Sequence, residues 1–197
     1  FDTLVSRDCF RPHGVFYLTA WKAKQHRSWV PDDYASARIE CEAHARKKTS
    51  GEEISYADIL QELCNRYGYD RAVELKALLD LESSLEILVA FPIVPVQRVL
   101  ESTGFEKTVL TSDMYLEKEV VEAVVARAGM SSKYSRLFLS CAEKATKREG
   151  TLFNRVASSA RCTRRGWRAR SRPTAPASST AWCSTGTGSR CPSAWAT

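Results

Sequence analysis

The sequence predicts an α/β protein, with a Rossmann-like parallel sheet core and an all-helical cap inserted after the first strand. After Pro95, short β-branched runs alternate with helical patterns, as in the βαβ units of a parallel sheet. Residues 10–90 instead show helical spacing almost throughout, and residues 1–4 resemble the end of a strand. We therefore expect a core of residues 1–9 and 91–157, interrupted by a cap of residues 10–90.

Three helices are predicted within the cap from their terminal charges and capping residues. Asp32 and Asp33 fall in the first turn of one helix and a basic run falls in its last, which suits the helix dipole. Residues 55–58, S-Y-A-D, resemble a capping box at the start of the next helix, and Gly68 is its natural end. The predicted helices run from Pro31 to Gly51, from Ser55 to Gly68 and from about Arg71 to Val89, and Pro92 ends the third.

Strands and helices alternate in the second half of the chain. Apolar and β-branched runs indicate the strands, and pairs of valines four residues apart indicate the buried face of the helix between them. The predicted elements are, in order, a strand at Lys107–Thr111, a helix at Glu117–Arg127, a strand at Arg136–Ser140 and a helix that starts at Thr151–Val156. In a parallel sheet of this kind, ligands bind outside the carboxyl ends of the strands.

The net charge of +6 does not by itself indicate a nucleic-acid partner, because the excess lies at one end of the chain. Residues 158–197 hold seven of the 29 basic residues and no acid, so residues 1–157 carry 22 bases against 23 acids. The body of the protein is therefore neutral. A basic tail that binds nucleic acid through arginines near tryptophans remains the alternative.

Cysteine and hydropathy patterns favour neither a metal framework nor a membrane protein. The seven cysteines form no C-x-x-C pair and the three histidines show no ligand spacing, so neither a zinc site nor a set of disulfides is indicated. No apolar run reaches the length of about 18 residues that a membrane helix needs, and no signal-peptide pattern is present. We expect a cytoplasmic protein without a membrane partner.

Chemically active side chains occur at the predicted carboxyl ends of the strands. Asp2 and Thr3 follow the first strand, Ser112 and Asp113 follow the second, and Lys147 lies in the loop after the third. Each alone fits a turn, a helix cap or a solvated surface. Together, a carboxylate, a hydroxyl and an ammonium suit a phosphoryl group, because they supply acid or base, a hydrogen-bond donor and a compensating charge.

The order of these residues resembles that of the haloacid-dehalogenase-like (HAD) superfamily of aspartate-nucleophile hydrolases with a helical cap. Residues 1–4, F-D-T-L, look like the second half of the first family motif, D-x-F-D-T-L. Residues 111–116, T-S-D-M-Y-L, resemble the second motif, and residues 145–153, A-T-K-R-E-G-T-L-F, resemble the third, T-K-x-x-G-x-L-F. The resemblance covers about residues 1–157.

The resemblance implies a Mg²⁺-dependent hydrolase, with a phosphatase acting on a small phosphorylated metabolite as the expected activity. It implies that Asp2 is the general acid and base and that its backbone carbonyl helps to hold Mg²⁺. Ser112, flanked by the substrate-binding candidates Thr3 and Asp113, is expected to donate to the phosphoryl oxygens, and Lys147 to balance the negative charge. A carboxylate nucleophile needs such compensation because a phosphate dianion repels it. The cap is expected to close over the site and to select the substrate.

Two parts of the family pattern have no counterpart in residues 1–197, namely the nucleophile and the fourth motif. The nucleophile is expected two residues before Asp2, which is before Phe1. The fourth motif, which supplies acidic metal ligands, is expected about 20 to 25 residues after Lys147, as the resemblance implies, where the tail holds no Asp or Glu. We therefore expect residues 1–197 to be inactive as they stand, with a non-catalytic remnant or interaction domain as the alternative function.

The composition of residues 158–197 is atypical of an ordinary disordered tail. The tail has no Leu, Ile, Val, Phe, Met or Tyr, yet it holds three of the five tryptophans and three of the seven cysteines. A GC-rich gene translated out of frame gives this mixture. With TCN serine codons, a shifted frame across residues 178–184 is consistent with an apolar run. We interpret the tail as frameshifted from about residues 157–163 or as disordered.

Overall fold

The structure is a computed structural model that describes residues 3–9, 11–27, 29–49, 53–70, 73–103 and 108–159. Helices dominate these residues, and the strands form two sheets of two strands each. Asp2 and the tail beyond residue 159 lie outside the described residues, so the predictions that fall on them stay predictions.

The strands are β1 (Val5–Arg7), β2 (Ala90–Pro92), β3 (Val109–Ser112) and β4 (Arg136–Leu139). The helices are α1 (Gly14–Lys24), α2 (Tyr34–Lys48), α3 (Tyr56–Tyr67), α4 (Glu74–Leu88), α5 (Val94–Ser102), α6 (Lys118–Arg127), α7 (Ser140–Glu143) and α8 (Thr151–Ser159). A short 3₁₀ turn at Ser131–Lys133 precedes β4. The chain is therefore an α/β protein in which a helix-rich segment separates β1 from the other strands.

The helices of the predicted cap form close to their expected bounds. α2 begins at Tyr34 instead of Pro31, because the Tyr34 N–H donates to the Pro31 carbonyl in a preceding turn (3.3 Å). The capping box of α3 is present: the Asp58 N–H donates to Ser55 Oγ at 3.2 Å, and the Ser55 N–H donates to Asp58 Oδ2 at 2.8 Å. Gly68 ends α3 with φ +66°, a conformation that favours glycine. The predicted bounds of α3 are confirmed.

The pairing of β1 with β2 differs from the sequence prediction. Thr3 and Leu4 form a bend, and the strand begins at Val5. β1 then pairs antiparallel with β2, in a register that places Val5 opposite Pro92. Pro92 was expected to end a helix, whereas α4 ends at Leu88 and Pro92 is the last residue of a short strand, where a missing N–H is tolerated. The strands that precede and follow the helical segment thus lie side by side.

The predicted parallel pairing is confirmed for β3 and β4. Their register places Ser112 opposite Leu139, and α6 connects the two strands. β-branched valines on one face of α6 are buried, namely Val121, Val124 and Val125. This βαβ unit is the described part of the expected parallel sheet, and the complete Rossmann-like core stays a prediction.

One hydrophobic cluster runs through both the helical segment and the βαβ unit. It includes Tyr34 of α2 and Leu60 of α3 together with Leu110 of β3 and Leu137 of β4. No helix in the described ranges is both long and apolar enough to cross a membrane. The helical segment therefore shares one core with the βαβ unit, and burial does not separate the predicted cap from the predicted core.

Candidate functional site

The candidate site lies at the carboxyl ends of β3 and β4. Ser112 is the last residue of β3 and Asp113 follows it directly, and both are partly buried. Because β3 and β4 are parallel, the loop that leads from β4 towards α8 starts at the same edge of the sheet. Lys147 lies in this loop and is also partly buried.

Asp113 and Lys147 are in direct contact through the backbone of the lysine. The Lys147 N–H donates to both carboxylate oxygens of Asp113, at 3.0 Å to Oδ1 and 3.2 Å to Oδ2. Burial raises the pKa of Asp113, and the hydrogen bond and charge of Lys147 oppose that rise. Burial lowers the pKa of Lys147, and Asp113 opposes that change. Each group therefore partly offsets the cost of burying the other.

The loop that carries Lys147 is held in shape by its own side chains. The Glu149 N–H donates to Thr146 Oγ1 at 3.2 Å, and the Thr146 N–H donates to Thr151 Oγ1 at 3.0 Å. Lys144 has φ +47°, an uncommon value for a residue with a side chain, and Gly150 has φ +75°. These bonds fix the direction of the Lys147 N–H before any ligand binds.

Ser140 is a site residue that the sequence interpretation missed. Its side chain is fully buried at the end of β4, and its Oγ accepts the Met114 N–H at 2.9 Å. The Cys141 thiol makes a 3.4 Å contact with the Leu116 carbonyl. Ser140 and Cys141 thus hold the segment that follows Asp113 against the neighbouring strand. A hydroxyl at the end of an apolar strand was the available signal, and it was assigned only to the strand itself.

The amino-terminal segment approaches Ser112 across a small cavity. Leu4 and Val5 line this cavity of about 40 Å³ together with Thr111 and Ser112. Thr3, which directly precedes these residues, is partly buried. The structure therefore brings the segment after Thr3 next to the end of β3, as the resemblance implies. Asp2 lies outside the described residues, and its distance from Ser112 and Lys147 is not described.

Among the described residues, no group of three or more histidine, cysteine or acidic side chains is arranged to hold a metal ion. Mg²⁺ binds through one or two carboxylates, completed by water and substrate phosphate. Asp113 is the one described carboxylate that directly follows a strand at this edge, and both of its oxygens already accept the Lys147 N–H. Asp2 lies outside the described residues, so the magnesium site stays a prediction.

Comparisons with known proteins find a distant likeness among solved structures. No family model matches the chain, and no curated protein matches it. The structure is similar to that of L-2-haloacid dehalogenase from Xanthobacter autotrophicus, with a TM-score of 0.48 and 13% sequence identity. The match covers 79% of this chain and 62% of the dehalogenase, so the chain spans less than two thirds of that protein. The chain is not assigned to a family on this basis.

Proposed function

We propose that the chain is part of a HAD-type hydrolase that cleaves phosphate monoesters of small metabolites with Mg²⁺. The observation that carries the proposal is the contact between Asp113 and the Lys147 N–H, because it joins two of the three sequence motifs at one edge of a parallel sheet. The remaining motif, the first one at residues 1–4, ends at Leu4, which lines the cavity beside Ser112. Fold and motif order thus support the same site.

In this proposal, each residue has a role set by its chemistry. The nucleophilic carboxylate, which the resemblance implies two residues before Asp2, attacks phosphorus, and the bond from phosphorus to the ester oxygen breaks. Asp2 protonates the departing alkoxide and then takes a proton from the water that hydrolyses the phosphoaspartate. The Ser112 hydroxyl donates to a phosphoryl oxygen, and the Lys147 ammonium compensates the negative charge. Mg²⁺, when bound, would supply further charge compensation at the phosphoryl group.

Asp113 serves the proposed site by orienting the loop of Lys147. Its carboxylate accepts the backbone N–H of Lys147 in two hydrogen bonds, which fixes the loop that carries the ammonium. Asp113 is then a positioning residue as well as the substrate-binding candidate predicted from sequence.

Phosphate release from an aryl phosphate in the presence of Mg²⁺ tests the proposal. The assay compares residues 1–197 with a longer protein that adds the sequence encoded upstream of Phe1 and an in-frame carboxyl terminus. We expect activity only in the longer protein and expect its Asp2→Asn variant to lose that activity. An inert longer protein across a broad panel of phosphate esters would instead favour the non-catalytic alternative. Activity that survives Asp2→Asn would show that the site is assigned to the wrong residues.

A further inference from the structure

Helix α4 carries two fully buried carboxylates one turn apart, and each is paired with an arginine from another element. Glu82 Oε1 accepts from Arg38 Nη2 of α2 at 3.1 Å. Glu86 accepts two bonds from Arg7 of β1, at 2.6 Å from Nε and 3.1 Å from Nη2. Neither glutamate has a role in the proposed reaction, so the buried charges need a separate explanation.

The guanidinium of Arg38 lies among aromatic rings as well as beside Glu82. Its central carbon is 4.5 Å from the ring centre of Phe16, 5.4 Å from that of Tyr56 and 5.2 Å from that of Tyr115. The whole side chain is inaccessible to solvent. A planar cation attracts the faces of aromatic rings, so Arg38 holds these rings together by stacking and charge.

This cluster contains a polar atom that finds no partner among the described residues. Arg38 Nε is buried without a hydrogen bond there. A buried polar atom without a partner is destabilising, and apolar side chains of similar volume would fill the space at lower cost. A buried Arg38 is therefore not the residue that stability alone would favour at this position. We take this as a reason to look for a role in the geometry that Arg38 imposes on its neighbours.

Tyr115 connects this cluster to the candidate site. It lies two residues after Asp113, and its ring contacts the Arg38 guanidinium. Its carbonyl accepts the Tyr56 N–H at 2.8 Å, which ties the same residue to the start of α3. Its neighbour Met114 is bonded to Ser140. The segment after Ser112 is thus fixed from the helical side by Tyr115 and from the strand side by Met114.

We propose that Arg38 is a positioning residue that, held by Glu82, packs on Tyr115 and thereby fixes the segment 112–116 at the edge of the sheet. The effect of Arg38 on catalysis rests on the proposed function, since Ser112 and Asp113 belong to that segment. The effect of Arg38 on the order of the segment is independent of the proposed function, because the same contacts hold the segment whatever the substrate is. The helical segment thereby contributes to the geometry of the candidate site.

The test compares the double variant Arg38→Met/Glu82→Gln with the parent protein. Both charges of the pair are removed together, and Glu42, the second partner of Arg38, keeps its bonds from Arg46. The introduced amide oxygen can still accept from Tyr34 as the Glu82 carboxylate does. The control is Arg66→Met/Glu40→Gln, which removes an exposed arginine that also lies over a tyrosine ring, that of Tyr67, and pairs with a glutamate. Measurements are the urea midpoint and amide hydrogen exchange of residues 112–116 and of α6.

We expect the Arg38 double variant to keep its urea midpoint close to that of the parent while exchange of residues 112–116 rises about tenfold and that of α6 is unchanged. The control should leave both segments unchanged. Unchanged exchange of residues 112–116 in a folded Arg38 double variant would overturn the proposal. If that variant does not fold, Tyr115→Leu keeps both charges and should raise exchange of the same segment. Parent-like exchange in Tyr115→Leu would overturn the proposal equally.

Inhibition by inorganic phosphate tests whether the order of residues 112–116 matters for catalysis. In the longer protein, the Arg38 double variant should weaken the inhibition constant of inorganic phosphate about tenfold, because Ser112 no longer holds its donor in place. Increased exchange of residues 112–116 with unchanged phosphate inhibition would show that Arg38 orders the segment without serving the site, and would overturn the catalytic half of the proposal. A parent that neither hydrolyses phosphate esters nor binds phosphate would contradict the proposed function, while hydrogen exchange still decides the role of Arg38.

Discussion

Arg7 and Glu86 form a two-bond ion pair that joins the first strand of the protein to helix α4. The Arg7 side chain is 11% exposed and that of Glu86 is fully buried. The pair lies next to the point where the chain passes from β1 into the helical segment and back through β2. It therefore connects the two segments at the passage that they share.

Removing the cation of this pair should be strongly destabilising. Arg7→Met leaves Glu86 buried without its arginine, and we expect the free energy of unfolding to fall by about 3 to 5 kcal/mol. Urea denaturation measures the change. Lys22→Met removes an exposed cation from α1 and should change the stability by less than about 0.5 kcal/mol. A loss below about 1 kcal/mol for Arg7→Met would contradict a strong dependence of the buried Glu86 on its arginine.

The capping box of α3 gives a prediction about pH. Ser55→Ala removes the hydroxyl that accepts the Asp58 N–H, and we expect a loss of about 1 kcal/mol in the free energy of unfolding at pH 7. Hydrogen bonds from Ser55 lower the pKa of Asp58 below its ordinary value of 3.8. The stabilisation from the ionised carboxylate is therefore complete above pH 3.8 and is lost as the pH falls through the lowered pKa.

Urea denaturation of the parent and of Ser55→Ala across the acidic range checks this pH dependence. The difference between the two proteins should be constant from neutral pH down to about pH 3.8 and should shrink below it. Exposed Ser132 provides the control, since Ser132→Ala should match the parent throughout. A difference that grows on acidification would contradict the role given to Asp58.

Asp113 should show the opposite dependence on pH. Burial raises its pKa above 3.8, so ionising it costs more in the folded protein than in the unfolded chain. Its contribution to stability is then most favourable below pH 3.8 and is lost as the pH rises through the raised pKa. Asp113→Asn should therefore gain stability relative to the parent as the pH rises from that range to 7, measured by thermal unfolding. A gain that is the same at all pH values would contradict a raised pKa.

Lys147 should matter for reaction rate and little for folding. In the longer protein, Lys147→Met removes the ammonium but keeps the backbone N–H that Asp113 accepts. We expect kcat to fall by about 10² to 10³, a loss typical of removing one group that stabilises transition-state charge, with an unchanged thermal midpoint. Lys133→Met, at a partner of Glu101, is the control for general loss of positive charge. Equal kinetics for Lys147→Met and the parent would remove Lys147 from the site.

Elements with local signals were predictable from the sequence, and elements made by distant pairing were not. α3 was predictable because Ser55, Asp58 and Gly68 act within the helix or at its ends. β1 and β2 are three residues each and exist only because they pair across more than 80 residues of chain. α5 was missed as well, because Pro95 suggested a break although it lies in the first turn, where proline is tolerated.

The candidate site divides in the same way. The placement of Ser112, Asp113 and Lys147 near strand ends was predictable from their motifs, and the structure brings the last two into contact. Their chemical roles stay predictions. The placement of Arg38 was not predictable, because the helix around it is rich in charged residues and nothing in its spacing distinguishes a buried arginine from an exposed one. Its burial depends on rings and carboxylates from four other parts of the chain, which only tertiary packing assembles.

The pairing of β1 with β2 also bears on whether the helical segment could be deleted from the protein. Arg7 and Ala90 are opposite each other, so the helical segment leaves and returns at positions that an antiparallel pair holds only about 5 Å apart. A short linker could therefore replace the whole segment without stretching the remaining backbone. The shared core opposes this excision, since Leu110 and Leu137 belong to the same hydrophobic cluster as Tyr34 and Leu60 of the helical segment. The backbone geometry thus permits deletion of the helical segment, whereas the shared hydrophobic core makes the rest of the protein depend on it for stability.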